Sequence, residues 1–149
     1  DNGADYIMTQ LCWDMDQFRY WLDAIRAAGI WLPVDVGIMP ILDQASTINM
    51  ALSRNGCVMP RALCEIISKN WIFPNPFSVG LKTAKGDEAC FDADVEGKKQ
   101  SFKEAGIEYT INQIDEYRAC GINGIHLYAL NKYDDVARIA KEAGLLDLI

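Results

Sequence analysis

Histidine and metal-binding cysteine patterns are nearly absent from this chain of 149 residues. His126 is the single histidine, and the five cysteines are scattered, with no CxxC pair among them. A structural zinc site needs about four close nitrogen or sulfur ligands, so the sequence does not predict one. We expect the cysteines to be reduced thiols that are buried in the fold. They are Cys12, Cys57, Cys64, Cys90 and Cys120.

Basic residues and long apolar runs are also scarce. The chain has 14 Lys and Arg against 21 Asp and Glu, a net charge of -7, whereas proteins that bind duplex nucleic acid need a basic face. No apolar run reaches the roughly 18 residues of a membrane span, and the polar first residues do not resemble a signal peptide. We therefore expect a cytoplasmic protein that binds neither nucleic acid nor membrane.

The most informative segment that is present is GIHLYALNK at residues 124–132. It is a short apolar run that carries the single histidine, ends in Asn131 and Lys132, and is followed at once by a helical pattern. A buried strand of a parallel sheet has this form, and ligands of such sheets bind at the carboxyl ends of the strands. The segment therefore indicates where a site is to be sought.

The chain alternates between predicted strands and helices. Three apolar segments predict strands at residues 4–11, 32–39 and 124–130. Predicted helices run from Asp14 or Asp16 to Ala28, over residues 43–54 and 60–69, from Ser101 or Glu104 to Ala119, and over residues 133–143. Asp14 is expected to cap the first of them rather than to act as an acid, and Asp43 or Ser46 the second.

This alternation predicts parallel strands and the α/β class. Three strands alone would leave unpaired edges, and a (β/α)8 TIM barrel takes about 250 residues. We therefore expect residues 1–149 to form a single partial barrel domain, the C-terminal portion of such a barrel, with about three parallel strands and covering helices. An irregular excursion is expected at about residues 70–100, where prolines, glycines and mixed charge leave no sustained period.

Three motifs resemble those of one family, the methylenetetrahydrofolate reductases. TQLCWD at residues 9–14 resembles the family's T-Q-aromatic-aromatic-aromatic-D strand end. AAGI at 27–30 with PVDVGIMP at 33–40 resembles A-G-I followed by P-I-x-P-G-I-x-P, and GIHLYALNK at 124–132 resembles G-x-H-F-Y-T-L-N-R. The three motifs fall in the family's order and at its spacing, apart from the excursion.

The resemblance implies a flavoprotein oxidoreductase of one-carbon metabolism and methionine biosynthesis. Such an enzyme binds FAD, takes a hydride from NAD(P)H and reduces 5,10-methylenetetrahydrofolate to 5-methyltetrahydrofolate. In the family, the acidic proton donor and most FAD contacts lie in the earlier half of the barrel. The catalytic residues are therefore expected upstream of this chain, which would be inactive by itself and would need the rest of the barrel or a partner subunit. We expect a homo-oligomer.

The resemblance also implies residues on the folate side of the site. Gln10 matches a glutamine that hydrogen-bonds the pterin ring, a role that suits an amide with a donor and an acceptor in one plane. Lys132 replaces an arginine near the folate, and keeps its charge without its planar fork. Met50 replaces an aromatic residue that stacks on folate or nicotinamide in some members, and Ser46 replaces a glutamine of the same helix.

Gln10 and Lys132 also have purely structural interpretations. Gln10 could be a strand-end side chain bound to the backbone, and Lys132 a solvated charge. His126 lies in mid-strand and is expected to be an interior histidine that holds a hydrogen bond, with Tyr128 on the same face. The alternative to a reductase is a non-catalytic half-barrel subunit, or a divergent homologue that binds folate or transfers its methyl group.

Overall fold

A computed structural model describes residues 3–53, 56–72 and 94–146 of the chain. They form a three-stranded sheet in which β1 (Ile7–Met8), β2 (Val34–Ile38) and β3 (Gly124–Leu127) pair in that order. Both pairings are parallel. Strands that neighbour each other in the chain also neighbour each other in the sheet, as in successive units of a barrel. The predicted α/β class, a barrel portion with three parallel strands, is confirmed.

Five helices accompany these strands. They are α1 (Met15–Ala27), α2 (Gln44–Leu52), α3 (Arg61–Lys69), α4 (Val95–Ala119) and α5 (Tyr133–Glu142). No helix of the described residues is both long and apolar enough to cross a membrane.

The predicted helix caps are observed. The Asp14 carboxylate accepts hydrogen bonds from the backbone N–H groups of Asp16 and Gln17, and the Asp43 carboxylate accepts one from Ser46. These bonds satisfy donors that the first helical turn leaves unpaired. Asp14 is therefore a cap, as expected.

Several predicted boundaries are wrong. Helix α4 begins at Val95, not at Ser101 or Glu104, because the Asp94 carboxylate caps it through the N–H of Gly97. The helical residues 95–100 therefore do not belong to the excursion, whose residues 73–93 lie outside the described part. Strands β1 and β3 are also shorter than their apolar runs, because parallel pairing reaches only as far as the neighbouring strand extends.

One face of the sheet carries the main core. The side chains of Val34, Val36 and Ile38 on β2 are at most 2% exposed, and α1, α4 and α5 pack against them. The buried helix residues of this cluster include Phe18, Ile114, Tyr117 and Ile139. We call this side the apolar face, and it also holds the partly buried Ile7, Ile125 and Leu127.

Helix α4 packs unusually closely on the segment that follows β2. A Cβ atom at Gly106 would lie 1.9 Å from the Ile41 carbonyl oxygen, so no larger residue fits there. One turn later, the Thr110 hydroxyl accepts a hydrogen bond from the Ile41 N–H at 3.1 Å. This contact fixes the chain just beyond the carboxyl end of β2, where parallel sheets form their sites.

Candidate functional site

The opposite face of the sheet is polar. Strand side chains alternate between faces, and paired residues of neighbouring strands point to the same side. Met8 pairs with Asp35, and Gly37 pairs with His126, so these four residues share one side. We call it the polar face. It contrasts with the apolar face because it carries a carboxylate and an imidazole.

His126 and Tyr128 meet on the polar face, as the period of two predicted. Their rings are edge to face, with centroids 5.1 Å apart. The His126 Nε2 atom lies 3.2 Å from the Tyr128 hydroxyl, within hydrogen-bond distance. The expected hydrogen-bond contact of His126 is observed, and its side chain is partly exposed.

Asp35 stands on the other side of the His126 ring. The Asp35 Oδ1 and His126 Nδ1 atoms are 3.4 Å apart, and the two side chains are 27% and 25% exposed. Neither atom has a hydrogen-bond partner within the described residues. The sequence reasoning did not single out Asp35, although a carboxylate between the buried Val34 and Val36 was a signal that it has a specific neighbour.

Two glycines make room for this pair. A Cβ atom at Gly37 would lie 2.7 Å from His126 Nε2 and 2.9 Å from the Thr9 carbonyl oxygen. A Cβ atom at Gly124 would lie 3.2 Å from Asp35 Oδ1. Each glycine pairs with the residue whose side chain covers it, since Gly37 is opposite His126 and Gly124 is opposite Asp35. The strand glycines thus allow a carboxylate and an imidazole to lie flat across β2 and β3.

Gln10 extends the row to the carboxyl end of β1. Its side chain is exposed, and the Tyr128 hydroxyl donates to Gln10 Oε1 at 3.4 Å. Asp35, His126, Tyr128 and Gln10 therefore form one polar row that crosses all three strands. This row ends in an amide that faces solvent, in the part of the fold where a barrel binds its ligand.

Helix α4 holds the segment that follows Gln10. The side chains of Gln113 and Tyr117 both donate to the Cys12 carbonyl oxygen, and the Tyr109 hydroxyl donates to that of Trp13. Residues 109, 113 and 117 are spaced by four, so they share one side of the helix. This spacing of polar groups was a usable signal, but the sequence reasoning missed it.

Burial keeps these phenols neutral. Desolvation raises the pKa of Tyr109 to about 12, and it also raises the pKa of Tyr117. A neutral phenol remains a hydrogen-bond donor, so the hydrogen bonds from these tyrosines to the backbone persist over the whole physiological pH range. The position of Gln10 is therefore supported by a part of the fold that does not titrate.

Lys132 lies beside a separate cavity. It occupies the N-cap position of α5, after a turn in which Leu130 and Asn131 have positive φ angles of 44° and 63°. The cavity has a volume of about 390 Å³ and is also lined by Lys99 and Lys103. Those two lysines are paired with Glu96 and Asp135, each at 2.6 Å.

Ser46 and Met50 lie on α2. Ser46 is exposed, whereas Met50 is half-buried against the second core cluster, which Tyr128 also contacts. A second depression, a groove, lies beside Gln10. The groove and the cavity beside Lys132 are lined by different residues, and neither lining includes Ser46 or Met50. The structure thus joins Gln10 to His126 and Tyr128, and the ligand roles of the four predicted site residues stay predictions.

The described cysteines are thiols, as expected, but contrary to expectation none of them is buried. Cys12, Cys57 and Cys120 are half-buried, whereas Cys64 is exposed because it points outward from α3. Burial raises the pKa of Cys57 to about 11, and its thiol donates to the Leu11 carbonyl oxygen at 3.4 Å. Within the described residues no group of His, Cys, Asp and Glu could hold a metal ion. Cys90 lies outside them.

Comparison with known proteins agrees with the three motifs. Residues 1–71 match the family model described as methylenetetrahydrofolate reductase. The chain is 31% identical to methylenetetrahydrofolate reductase 1 of Schizosaccharomyces pombe over 147 residues. It is 28% identical over 147 residues to methylenetetrahydrofolate reductase (NADH) 1 of Arabidopsis thaliana. A shorter match, 43% over 51 residues, is to methylenetetrahydrofolate reductase 2 of Saccharomyces cerevisiae.

The first two matches cover nearly the whole chain but little of the relatives. Each includes 99% of this chain and 20% of the relative's length. The Saccharomyces cerevisiae match includes 34% of this chain and 8% of that protein. The chain therefore spans about a fifth of the length of the curated relatives that it matches along its whole course.

Proposed function

Because residues 1–71 match the methylenetetrahydrofolate reductase family model and 99% of the chain aligns with a reductase of that name, we propose that the chain belongs to this family and contributes the folate side of a reductase active site. The observation that carries the proposal is the row from Asp35 to Gln10 on the polar face. It presents an exposed amide at the carboxyl ends of parallel strands, where barrels bind their substrates. A pterin ring has a flat edge of donors and acceptors that an amide can match.

The proposed reaction is the reduction of 5,10-methylenetetrahydrofolate to 5-methyltetrahydrofolate with FAD as cofactor. A nicotinamide would supply the hydride, and the name of the Arabidopsis thaliana relative includes NADH. For this chain, NAD(P)H remains the class of donor. The role of its own residues would be to bind and orient the folate.

Four of the five described helix N-termini do not fit the pyrophosphate of FAD. Helix N-termini are the usual anion sites, but those of α1, α2 and α4 already bind the carboxylates of Asp14, Asp43 and Asp94. Helix α5 begins with Asp134 and Asp135, which would repel a phosphate. We therefore assign the flavin contacts and the catalytic acid to the rest of the protein, and derive no step through the flavin here.

Four residues are proposed to contact the folate. Gln10 would hydrogen-bond the pterin, and Lys132 would lie near the folate as a single positive charge. Met50 would pack against the substrate without stacking, and the exposed Ser46 would line the same side of the site. The separation of the Gln10 groove from the Lys132 cavity fits an elongated ligand with different chemistry at its two ends.

The assembly and location of the protein are part of the same proposal. The chain would be a single partial barrel domain that pairs its sheet edges with the rest of a barrel, in one polypeptide or in a partner subunit. The whole enzyme would be a cytoplasmic homo-oligomer. Closing the barrel would cover the polar face and leave the ligand at the strand ends.

The test begins with the full-length protein. Purified from cells, it should show a bound flavin spectrum, oxidise NADH or NADPH and form 5-methyltetrahydrofolate from the methylene substrate. The isolated chain of 149 residues should bind no FAD, and a stoichiometric yellow complex would refute the assignment of flavin contacts to the rest of the protein. A full-length protein that binds folate without flavin would instead support a divergent homologue that binds folate or transfers its methyl group.

A further inference from the structure

The contacts of the polar row link the protons of its side chains. A tyrosine hydroxyl has one hydrogen, and the Tyr128 hydroxyl donates it to Gln10 Oε1. The Tyr128 oxygen can then take part in the 3.2 Å contact with His126 Nε2 only as an acceptor. In this arrangement His126 carries a proton on Nε2. If Nε2 is bare, the Tyr128 hydroxyl donates to it and the Gln10 NH2 group donates to the Tyr128 oxygen, because the two orientations of an amide occupy the same positions.

The other ring nitrogen faces a carboxylate. The His126 Nδ1 atom lies 3.4 Å from Asp35 Oδ1, and neither atom has another hydrogen-bond partner in the described residues. If Nδ1 were bare, two lone pairs would face each other in a partly buried place, which costs free energy. A proton on Nδ1 turns the same contact into an attraction between an imidazolium and a carboxylate.

We propose that Asp35 is a positioning residue that decides, through His126 and Tyr128, which end of the Gln10 amide faces the ligand. With both imidazole nitrogens protonated, Tyr128 donates to Gln10 Oε1, and the Gln10 NH2 group faces outward as a donor. When Nε2 loses its proton, Tyr128 donates to the ring instead, and Gln10 turns its NH2 group toward the tyrosine oxygen. Its carbonyl then faces outward as an acceptor.

The surroundings of the imidazole support this coupling. The described residues place two titratable groups against it, the Asp35 carboxylate from β2 and the Tyr128 phenol from its own strand. The segment after β1 adds uncharged groups to these surroundings, the Gln10 amide against the Tyr128 hydroxyl and the Thr9 carbonyl oxygen beside Gly37. Asp35 occupies the unspecified position of the family motif P-I-x-P-G-I-x-P.

The first test reads the protons without any folate. Histidine-selective ¹⁵N labelling of the full-length protein, with His126→Gln to identify the signals, reports the protonation of both ring nitrogens. We expect the doubly protonated ring to be more populated in the wild type than in Asp35→Asn at the same pH, because the carboxylate favours the charged imidazole. Asp35→Asn preserves the shape of the side chain, and Tyr128→Phe is a second variant that removes only a hydroxyl. Identical protonation in the wild type and in Asp35→Asn would overturn the proposal.

The second test rests on the proposed function and uses 5-methyltetrahydrofolate as the probe. Wild-type affinity should change with pH over the range in which the His126 signals change. Tyr128→Phe should follow only the ligand's own titration and should bind about threefold to tenfold more weakly near pH 6. Profiles of the same shape in both proteins would refute the coupling. If no variant binds the probe while the ring signals behave as expected, the proposed function fails and the proton arrangement stands.

Discussion

The two faces of the same three strands differ in almost every physical respect. On the apolar face, Val34 and Val36 are completely buried beneath helices. On the polar face, Met8 is 56% exposed, and Asp35 and His126 each keep about a quarter of their side-chain surface. Because strand side chains alternate between the two faces, the same short segments of sequence supply both sets. Burial of apolar surface accounts for stability, at about 25 cal/mol per Å², so the apolar face holds the fold and leaves the other face available for chemistry.

The comparison also explains where glycine is tolerated. Gly37 and Gly124 lie in adjacent strands, and each is covered by the polar side chain opposite. Glycine weakens a strand interior, because it offers no side chain to pack and costs more entropy to order. Here the loss permits a close approach of Asp35 and His126. The polar face thus gives up some stability for the arrangement of its side chains.

The largest expected effect is the difference in stability loss between substitutions on the two sides of the sheet. Ile114→Ala, on the helix that packs against the apolar face, should lower the free energy of unfolding of this chain by about 2–5 kcal/mol. Met8→Ala on the polar face should change it by less than about 0.5 kcal/mol, as exposed substitutions do. Urea denaturation measures both. In the full-length protein, the loss in free energy of unfolding caused by Met8→Ala should be larger if a closed barrel covers Met8. Equal losses for the two variants in this chain would contradict the claim that the apolar face holds the fold.

The next effect tests the glycines of the polar face. Gly37→Ala should destabilise the chain by about 1–3 kcal/mol, because its methyl group would collide with His126 and with the rigid Thr9 carbonyl. Gly124→Ala is the matched control, since its nearest contact is the Asp35 carboxylate at 3.2 Å, which can move slightly. Thermal unfolding should show the larger loss for Gly37→Ala. A larger loss for Gly124→Ala would mean that the two strands are spaced differently.

A third effect concerns the ligand and not the fold. In the full-length protein, Gln10→Ala should weaken folate binding by the loss of one or two hydrogen bonds, roughly 1–3 kcal/mol. Its stability should hardly change, because the Gln10 side chain is exposed. Asn112→Ala, an exposed amide on α4, serves as the control and should leave affinity unchanged. Calorimetric titration measures both, and an unaltered affinity in Gln10→Ala would remove Gln10 from the site.

The smallest effect involves no substitution. Cys64 is exposed, whereas the half-buried Cys57 has a pKa raised to about 11 by desolvation and so contains little thiolate near pH 7.5. Iodoacetamide should therefore modify Cys57 roughly tenfold or more slowly than Cys64, as followed by peptide mass spectrometry. Raising the pH toward 10 should narrow the gap, because thiolate then forms at Cys57. Equal rates near neutral pH would show that the chain around Leu11 opens readily.

Much of the fold could be predicted from the sequence because its signals are local. Asp14 and Asp43 cap helices through groups two or three residues away, and the helical spacing of apolar residues marks α1. The start of α4 could not be placed correctly, since Gly97 and a mixed-charge run resemble a loop until Asp94 is seen to cap them. The strand lengths were overestimated because an apolar run in the sequence does not reveal where the strand that pairs with it ends.

The site was predictable only in part, for the same reason. Gln10 and Lys132 were singled out by their places in motifs, and their ligand roles remain predictions. Asp35 was overlooked because its partner is 91 residues away in the chain, on β3. The hydrogen bonds from α4 to the carbonyl groups of Cys12 and Trp13 join residues at a similar separation along the chain.

The sequence by itself determined the class, the order of the elements and the resemblance to the family, because caps, periodicity and short motifs depend on neighbours along the chain. The tertiary structure alone decided that Asp35, His126, Tyr128 and Gln10 form one row. That outcome depends on the register of three strands and on the space left by two glycines. Register is a property of paired strands, and a shift of one residue would have turned the entire row toward the helices.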